Sequence, residues 1–202
     1  NDGTSFTVTD TRSDTEQRFR IPLAGEFNVR NALAVIAAAR HVGLTDEEIQ
    51  TGFDGFLSIR RRMEVIAENN GITLIDDFAH HPTAVAKSIR SMRKRYPGHR
   101  VVVAMEPRSN TMKLGVHKDL LAESLQDADL VWMFRPDDMP EDFDTSLQSL
   151  GGKLRLFDDY DQLVNDMSRR VLGGDQVVFM SNGGFGSARQ TLTALLQRRR
   201  GS

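Results

Sequence analysis

The pattern of hydrophobic and polar positions changes near residue 60. Before that point, "TSFTVTD" (4–10) and "EQRFRIPL" (16–23) alternate apolar and polar residues, which predicts a half-exposed antiparallel pair of strands. Residues 28–42 are rich in Ala, Leu and Ile and end at Gly43, which predicts a helix with a glycine stop. "TDEE" (45–48) is a capping-box sequence that predicts the start of a second helix.

From Met63 onward, short apolar segments alternate with segments of helical periodicity. The predicted strands are 72–75, 101–105, 130–134, 154–157 and 177–181, and the predicted helices lie near 83–95, 117–127, 160–172 and 187–198. Strands that are apolar throughout are buried on both faces, as in a parallel sheet covered by helices. The predicted fold class is therefore α/β, with a mostly parallel sheet and flanking helices.

Composition narrows the classes of function. The 202 residues correspond to one or two domains, and the formal net charge of −2 gives no general affinity for nucleic acid or an anionic membrane. The absence of cysteine excludes disulfides and thiolate metal sites and fits a reducing compartment. No apolar run approaches a membrane span, and the start shows no signal-peptide pattern. Because the first residue is Asn1 and not Met, we expect a piece of a longer protein.

Polar residues collect after the predicted strands. The segments that follow them are "DDFAHHP", "EPRSNTMK", "RPDDMP", "DDYD" and "NGGFGS". In an open parallel sheet these segments meet at the carboxyl edge, where ligands bind. We therefore expect a binding site at that edge.

"DDFAHHP" has three open interpretations. Asp76 or Asp77 can accept hydrogen bonds from ribose hydroxyls, and His80 and His81 can contact a base at the start of a helix opened by Pro82. The aspartates can equally be turn residues beside solvated histidines. Two Asp and two His are also acceptable metal ligands.

"EPRSNTMK" places a cation and several neutral donors in one loop, which suits a carboxylate ligand. The residues concerned are Arg108, Ser109, Asn110, Thr111 and Lys113. In "NGGFG", Asn182, Gly183 and Gly184 offer backbone N–H groups to an anion or allow close backbone approach. An ordinary polar loop and a tight strand-to-helix turn remain the simpler alternatives. The sequence contains no G-x-x-x-x-G-K-[ST] phosphate loop.

Two further segments carry candidates. Asn28 and Asn31 lie at a predicted helix start, where Asn28 can be the N-cap and Asn31 is less needed as a cap. "RRRME" (60–64) is either a solvated basic patch or the source of an arginine for a phosphate.

Taken in order, five segments resemble the Mur ligase family, which uses ATP to join amino acids or peptides to UDP-N-acetylmuramic acid. They are "GEFNVRNALA", "RRME", "DDFAHHPTAV", "EPRSNTMKLGVHKD" and "MSNGGFG". "DDFAHHPTAV" is similar to the alanine-adding branch. "EPRSNTMKLG" and "SNGGFG" resemble the branch that adds a ready-made tripeptide in peptidoglycan recycling.

The resemblance implies a Rossmann-like C-terminal domain and assigns site residues. The residues near ATP would be Asn28 and Asn31 at the adenine, Arg62 at the phosphates, Asp77 at the ribose, and His80 and His81 beside the nucleotide. The tripeptide would contact the "EPRSNTMK" loop and the Asn182–Gly184 turn. The family usually has His before the first Asn, whereas this chain has Phe27.

The resemblance also implies a domain organisation. Residues 1–58 would end the central ATP-binding domain and 59–202 would form the C-terminal domain. The P-loop, the Mg²⁺-binding glutamate, the carbamylated lysine and the UDP-binding domain would lie upstream, so we expect the chain alone to be inactive. The whole enzyme would be cytoplasmic and would use ATP, Mg²⁺, UDP-N-acetylmuramate and the tripeptide through an acyl-phosphate.

Two other functions compete with the ligase. One is a nucleotide- or peptide-binding module without catalysis. The other is a metal-dependent hydrolase that uses Asp76, Asp77, His80 and His81.

Overall fold

A computed structural model of the chain describes residues 3–11, 14–23, 25–56, 60–108 and 118–199. Contacts divide the chain into two compact units, Asn1–Ile59 and Arg60–Ser202. Within the described ranges, no helix is long and apolar enough to cross a membrane. The assignment of the first unit to the end of an ATP-binding domain stays a prediction.

The first unit combines a strand pair with two helices. Its elements are β1 Thr4–Asp10, β2 Thr15–Ile21, α1 Glu26–His41 and α2 Asp46–Asp54. The two strands are antiparallel, as predicted from their alternation. Their apolar face and the helices enclose a small core built on Phe19, Ile36 and Ile49.

The ends of the helices follow local chemistry. The side-chain oxygen of Thr45 accepts a hydrogen bond from the Glu48 backbone N–H and the Glu48 side chain accepts one from Thr45, which confirms the capping box. Gly43 follows α1 with φ 90°, as predicted for a glycine stop. The N-cap of α1 is Gly25, so the interpretation of Asn28 as the cap is wrong. The helix begins earlier because Gly25, at φ 100°, turns the chain into it.

In the described part of the second unit, six strands form one sheet in the order β3-β4-β8-β5-β6-β7. They are β3 Glu64–Asn69, β4 Ile72–Asp77, β5 Val101–Glu106, β6 Leu130–Phe134, β7 Leu154–Phe157 and β8 Gln176–Ser181. All neighbouring pairs are parallel except β3–β4. The mostly parallel α/β fold is confirmed.

Helices cover both faces of this sheet. Among the described residues of this unit, the helices are α3 Pro82–Arg95, α4 Lys118–Ser124, α5 Phe143–Ser146, α6 Tyr160–Arg170 and α7 Ala188–Arg198, with a 3-10 helix at Gln148–Lys153. Alternate strand residues pack on opposite sides: one core lies against α3, α4 and α5, and the other lies against α6 and α7. Strands β4, β5 and β8 are buried at every position, which explains their continuous apolar character.

Three elements were missed by the sequence analysis. β3 is an antiparallel edge strand whose residues are mostly half-buried or exposed, so it lacks the apolar run of the central strands. α5 and the 3-10 helix are too short to show a clear helical period. The four predicted helices are present with bounds shifted by a few residues.

The core of the second unit provides a test of packing. Leu74 is fully buried in β4, whereas Leu120 is 50% exposed in α4. We expect Leu74→Ala to lower the free energy of unfolding by about 2–5 kcal/mol, because it removes buried methyl groups and leaves a cavity. Leu120→Ala is the matched control and should cost about 0.5 kcal/mol or less. Urea unfolding measures both; equal losses would contradict this description of the core.

Candidate functional site

The carboxyl ends of the three central strands meet at the same level. Asp77 of β4 and Met105 of β5 are both in register with Met180 of β8, and Glu106 is in register with Ser181. The "DDFAHH" and "SNGGFG" segments and the start of "EPRS" therefore leave the sheet side by side. The expected gathering of polar segments at this edge is confirmed for these loops.

Asp77 is 4% exposed, and its carboxylate shapes the loop that follows β4. One oxygen accepts a hydrogen bond from the Ala79 backbone N–H at 2.7 Å, and the other accepts from the Met63 N–H at 3.2 Å and the Ser88 hydroxyl at 3.3 Å. Burial raises the pKa of Asp77, although these hydrogen bonds oppose the shift. Its predicted role at an ATP ribose stays a prediction, and in this structure the side chain holds its own loop.

Asp76 faces the opposite side of the sheet and meets two arginines. Its Oδ2 lies 2.8 Å from Nη1 of Arg189 and 3.4 Å from Nε of Arg61. Burial raises the pKa of Asp76 and the two guanidinium groups oppose the shift. The other carboxylate oxygen, Oδ1, is buried without a hydrogen-bond partner among the described residues. Asp76 is therefore a charged anchor between the segment before β3 and helix α7.

Neighbouring arginines at 61 and 62 have different environments. The Arg61 backbone N–H donates to Glu64, its carbonyl accepts from Phe78, and its guanidinium donates to the carbonyl of Ser181. Arg62 is exposed, with its guanidinium carbon 6.0 Å from the centre of the Phe78 ring. Arg61 is thus built into the edge, while the side chain predicted to reach a phosphate, Arg62, is accessible from solvent.

The two histidines serve the loop locally. His80 Nδ1 lies 2.9 Å from the carbonyl oxygen of Phe78, and its ring packs edge-on against the Phe78 ring. His81 is the N-cap of α3, where its Nδ1 accepts a hydrogen bond from the Thr83 N–H at 3.3 Å. Among the residues that the structure describes, no three His, Asp or Glu side chains are grouped to hold a metal ion. The geometry therefore does not favour the hydrolase hypothesis.

Glu106 ends β5 and is fully buried. Its Oε2 accepts hydrogen bonds from the Ser181 hydroxyl at 2.6 Å and the Phe185 backbone N–H at 3.2 Å, and its Oε1 accepts from the Tyr160 hydroxyl. Arg108 Nη1 lies 3.9 Å from Oε1, and the Arg108 side chain is 52% exposed. Ser109, Asn110, Thr111 and Lys113, also predicted to bind peptide, lie outside the described residues.

The Arg108 side chain lies close against the backbone of the "SNGGFG" turn. A Cβ on Gly183 would lie 2.6 Å from Cδ of Arg108, so a side chain at 183 would displace the arginine. Gly184 has open space around it, and Asn182 carries a buried Oδ1 without a partner among the described residues. The closeness of Arg108 to the backbone therefore explains why residue 183 is glycine. Binding of an anion at this turn stays a prediction.

Asn28 and Asn31 lie on α1 of the first unit. Asn28 is half-buried and Asn31 is exposed. Their placement beside an adenine stays a prediction.

The pattern of this edge matches a known family. Residues 61–183 match the family described as "Mur ligase, glutamate ligase domain". The chain belongs to the Mur ligase family. The match includes β3 to β8 and ends within the glycine turn, so it contains most of the carboxylates and arginines described above.

Curated relatives agree with this membership. The UDP-N-acetylmuramate–L-alanyl-γ-D-glutamyl-meso-2,6-diaminoheptandioate ligase of Escherichia coli (strain K12) is 40% identical over 171 residues, which is 84% of this chain and 37% of the relative. The protein of the same name from Haemophilus influenzae is 37% identical over 84% of this chain and 38% of the relative. This Mur ligase chain thus spans under two fifths of the length of these relatives.

Solved structures show the same fold. The murein peptide ligase from Psychrobacter arcticus superposes with a TM-score of 0.75 at 33% identity, covering 97% of this chain and 42% of that one. A single domain of a related ligase from Haemophilus ducreyi matches with a TM-score of 0.57 at 36% identity, covering 67% of this chain and 99% of that one. The predicted Mur ligase C-terminal fold is confirmed.

Sequence reasoning missed several residues of the Mur ligase edge. Arg61, Tyr160, Ser181 and Arg189 were not singled out, although each makes a contact with Asp76, Glu106 or Ser181. Tyr160 and Ser181 stand at or beside strand ends, so a stricter search of those positions would have found them. Arg189 gives no such signal, because it lies inside a helix.

Burial of Asp77 predicts a pH dependence of stability. Its pKa is raised from 3.8, so the folded state favours the protonated form, and its contribution to stability is lost as pH rises through the raised pKa. Relative to Asp77→Asn, the unsubstituted chain should therefore lose stability as the pH rises above about 4, the range in which the unfolded carboxyl group ionises before the folded one. Urea unfolding across that range measures the difference.

Asp166 is a control for Asp77, because its pKa is shifted in the opposite direction. Burial raises its pKa, but hydrogen bonds from Arg170 and Trp132 outweigh burial, and its net pKa lies below 3.8. Its stabilisation is present above the unfolded pKa and is lost as pH falls through the lowered value. Relative to Asp166→Asn, the unsubstituted chain should therefore gain stability as pH rises. If the contributions of Asp77 and Asp166 to stability changed with pH in the same direction, the raised pKa of Asp77 would be contradicted.

Proposed function

We propose that this chain supplies the C-terminal domain, and the end of the central domain, of an ATP-dependent ligase. The reaction proposed is the joining of L-alanyl-γ-D-glutamyl-meso-diaminopimelate to UDP-N-acetylmuramate. The observation that carries the proposal is the pair of accessible arginines, Arg62 and Arg108, on loops at the carboxyl edge of a Mur ligase sheet. The substrate pair is that of the Escherichia coli and Haemophilus influenzae ligases to which the chain is similar.

Arg62 is proposed to face the ATP phosphates. Its guanidinium is exposed, while the neighbouring Arg61 is fixed by contacts with Ser181 and Asp76. Asn28 and Asn31 are proposed near the adenine, and Asp77, His80 and His81 near the remainder of the nucleotide. Because Asp77 already accepts three hydrogen bonds, we assign it to shaping the nucleotide loop as well as to the ribose.

Arg108 is proposed to bind a carboxylate of the incoming tripeptide. A guanidinium presents two parallel N–H groups to a carboxylate, a geometry that lysine does not reproduce. The Gly183 backbone leaves room for the Arg108 side chain, and the Asn182–Gly184 turn lies beside it. Ser109, Asn110, Thr111 and Lys113 remain proposed contacts of the same peptide.

The proposed chemistry passes through an acyl-phosphate. ATP phosphorylates the muramoyl carboxylate, and the tripeptide amine then attacks the acyl carbon and releases phosphate. Residues of this chain bind and orient the nucleotide and the peptide, so that the amine meets the activated carboxyl group. Mg²⁺ would supply charge neutralisation at the phosphates. The described residues contain no group of His, Asp or Glu side chains that could hold it.

The 202-residue chain itself should not catalyse ligation. Its sequence has no G-x-x-x-x-G-K-[ST] loop to hold the ATP phosphates. Phosphate release should therefore stay at background with ATP, Mg²⁺, UDP-N-acetylmuramate and tripeptide. The same chain joined to the upstream domains of the Escherichia coli relative is the positive control. Turnover by the 202 residues at the rate of that control would refute the proposal that ligation requires the upstream domains.

Arg108→Lys should weaken use of the tripeptide in a full-length ligase. Lysine keeps the charge but loses the bidentate geometry, so the KM for tripeptide should rise about tenfold, equivalent to about 1.4 kcal/mol. The KM for ATP and the melting temperature should stay near their original values. Arg62→Lys is the matched variant. It should raise the KM for ATP and leave the KM for tripeptide unchanged. If Arg108→Lys left the tripeptide KM unchanged, the peptide assignment would be wrong.

A further inference from the structure

The fully buried Glu106 carboxylate has no role in the function proposed above. It joins three segments that are distant in sequence: the Tyr160 hydroxyl at the start of α6, the Ser181 hydroxyl at the end of β8, and the Phe185 N–H in the glycine turn. Every one of these partners is a neutral donor. An ionised carboxylate accepts hydrogen bonds and donates none, so three donors aimed at two oxygens are the arrangement that a carboxylate requires.

Arg108, which forms an ion pair with this carboxylate, is not hydrogen-bonded to it. Nη1 of Arg108 lies 3.9 Å from Oε1 of Glu106, outside hydrogen-bond distance but within the distance of an ion pair whose arginine is partly exposed. Among the described residues, Glu106 is the one acid with which Arg108 forms an ion pair. The guanidinium is thus attracted to Glu106, and no other described residue accepts a hydrogen bond from its N–H groups.

The same carboxylate also fixes the surface on which Arg108 lies. The Ser181 hydroxyl donates to Glu106 and accepts from the Gly183 N–H at 2.8 Å, and Phe185 donates directly to Glu106. Phe185 is held at φ 55°, a conformation that costs energy for a residue with a side chain. Arg108 crosses this turn at Gly183, where even a Cβ would collide with it.

Tyr160 contacts Glu106 at Oε1, the oxygen that Ser181 and Phe185 do not use. Its ring stacks on Phe134 with centroids 3.9 Å apart, and a Cβ on Gly186 would lie 3.1 Å from that ring. Burial, followed by the hydrogen bond to Glu106, raises the pKa of the Tyr160 hydroxyl, which therefore remains a donor at neutral pH. The hydroxyl is thereby held against Oε1, the oxygen nearest Arg108.

We propose that Glu106 is a positioning residue, whose buried charge holds the Arg108 guanidinium over the Gly183 turn in the orientation that receives a carboxylate of the incoming peptide. This inference rests on the proposed function and deepens its peptide site. Glu106 acts through Arg108 and does not contact the substrate. Its charge orients the arginine, and its hydrogen bonds shape the turn beneath.

Glu106→Gln removes the negative charge of the side chain but keeps its size and its capacity for hydrogen bonds. The amide oxygen can still accept from Ser181 and Phe185, and the amide nitrogen can donate to the Tyr160 oxygen, so the turn should fold. NMR of the 202-residue chain can follow the Nε–Hε signal of Arg108, which is identified by its loss in Arg108→Lys. We expect this signal to show greater mobility in Glu106→Gln.

Titration with L-alanyl-γ-D-glutamyl-meso-diaminopimelate gives a second readout on the same samples. The dissociation constant should rise about two- to fivefold in Glu106→Gln, the range expected for a partly exposed ion pair. In an Arg108→Ala background the same substitution should have no further effect, because the charge acts through the arginine. Independent effects of the two substitutions, or an Arg108 signal unchanged in Glu106→Gln, would overturn the proposal.

Tyr160→Phe is the matched control, since it removes one hydrogen bond and keeps the carboxylate charge. Arg108 should stay ordered in this variant; mobility equal to that of Glu106→Gln would show that turn shape alone is responsible and would overturn the charge-based role. If Glu106→Gln does not fold, Gly183→Ala displaces Arg108 from Glu106 directly, and unchanged Arg108 mobility there would also overturn it.

Failure of the proposed function gives a different result. If the unsubstituted chain binds no tripeptide, the peptide site is wrong, while the mobility of Arg108 still decides whether Glu106 positions it.

Discussion

Burial of the central strands on both faces is the constraint on which the rest of the second unit depends. Strands β4, β5 and β8 have helices against each side, so ionisable side chains are confined to their ends. Asp76, Asp77 and Glu106 occupy the last positions of β4 and β5, where each is still at least 95% buried. A carboxylate in that position needs donors, and these come from the loops, helices and strand ends around the carboxyl edge. The geometry of the site follows from the requirements of these buried charges.

The alternation of strand side chains divides the edge into two halves. Asp77 faces α3 and orders the loop that contains the two histidines, whereas Asp76 faces the opposite layer and binds Arg189 of α7. Two adjacent residues of one strand therefore organise opposite sides of the sheet. Arg61 joins β4 to β8 at this edge, because its guanidinium reaches both Asp76 and the Ser181 carbonyl.

Backbone strain is concentrated at the same edge. Arg61, Met63 and Phe185 adopt positive φ values between 52° and 61°, a region that residues other than glycine rarely occupy. Each lies next to a buried carboxylate: Met63 donates to Asp77, Phe185 donates to Glu106, and Arg61 pairs with Asp76. The hydrogen bonds and ion pairs of the carboxylates offset the cost of these conformations.

The sequence alone determined the alternation of strands and helices, the carboxyl edge as the place of the site, and membership of the Mur ligase family, because these depend on local periodicity and on contiguous motifs. Only the tertiary structure decided that Asp76 pairs with Arg189, that Asp77 accepts from Ser88, and that β3 joins the edge as an antiparallel strand. It also decided that Arg61, not Arg62, is the arginine held in the sheet edge. The physical reason is that these contacts join distant residues: Arg61 reaches Ser181 across 120 positions of sequence, and no local pattern specifies such a pair before the strands have assembled.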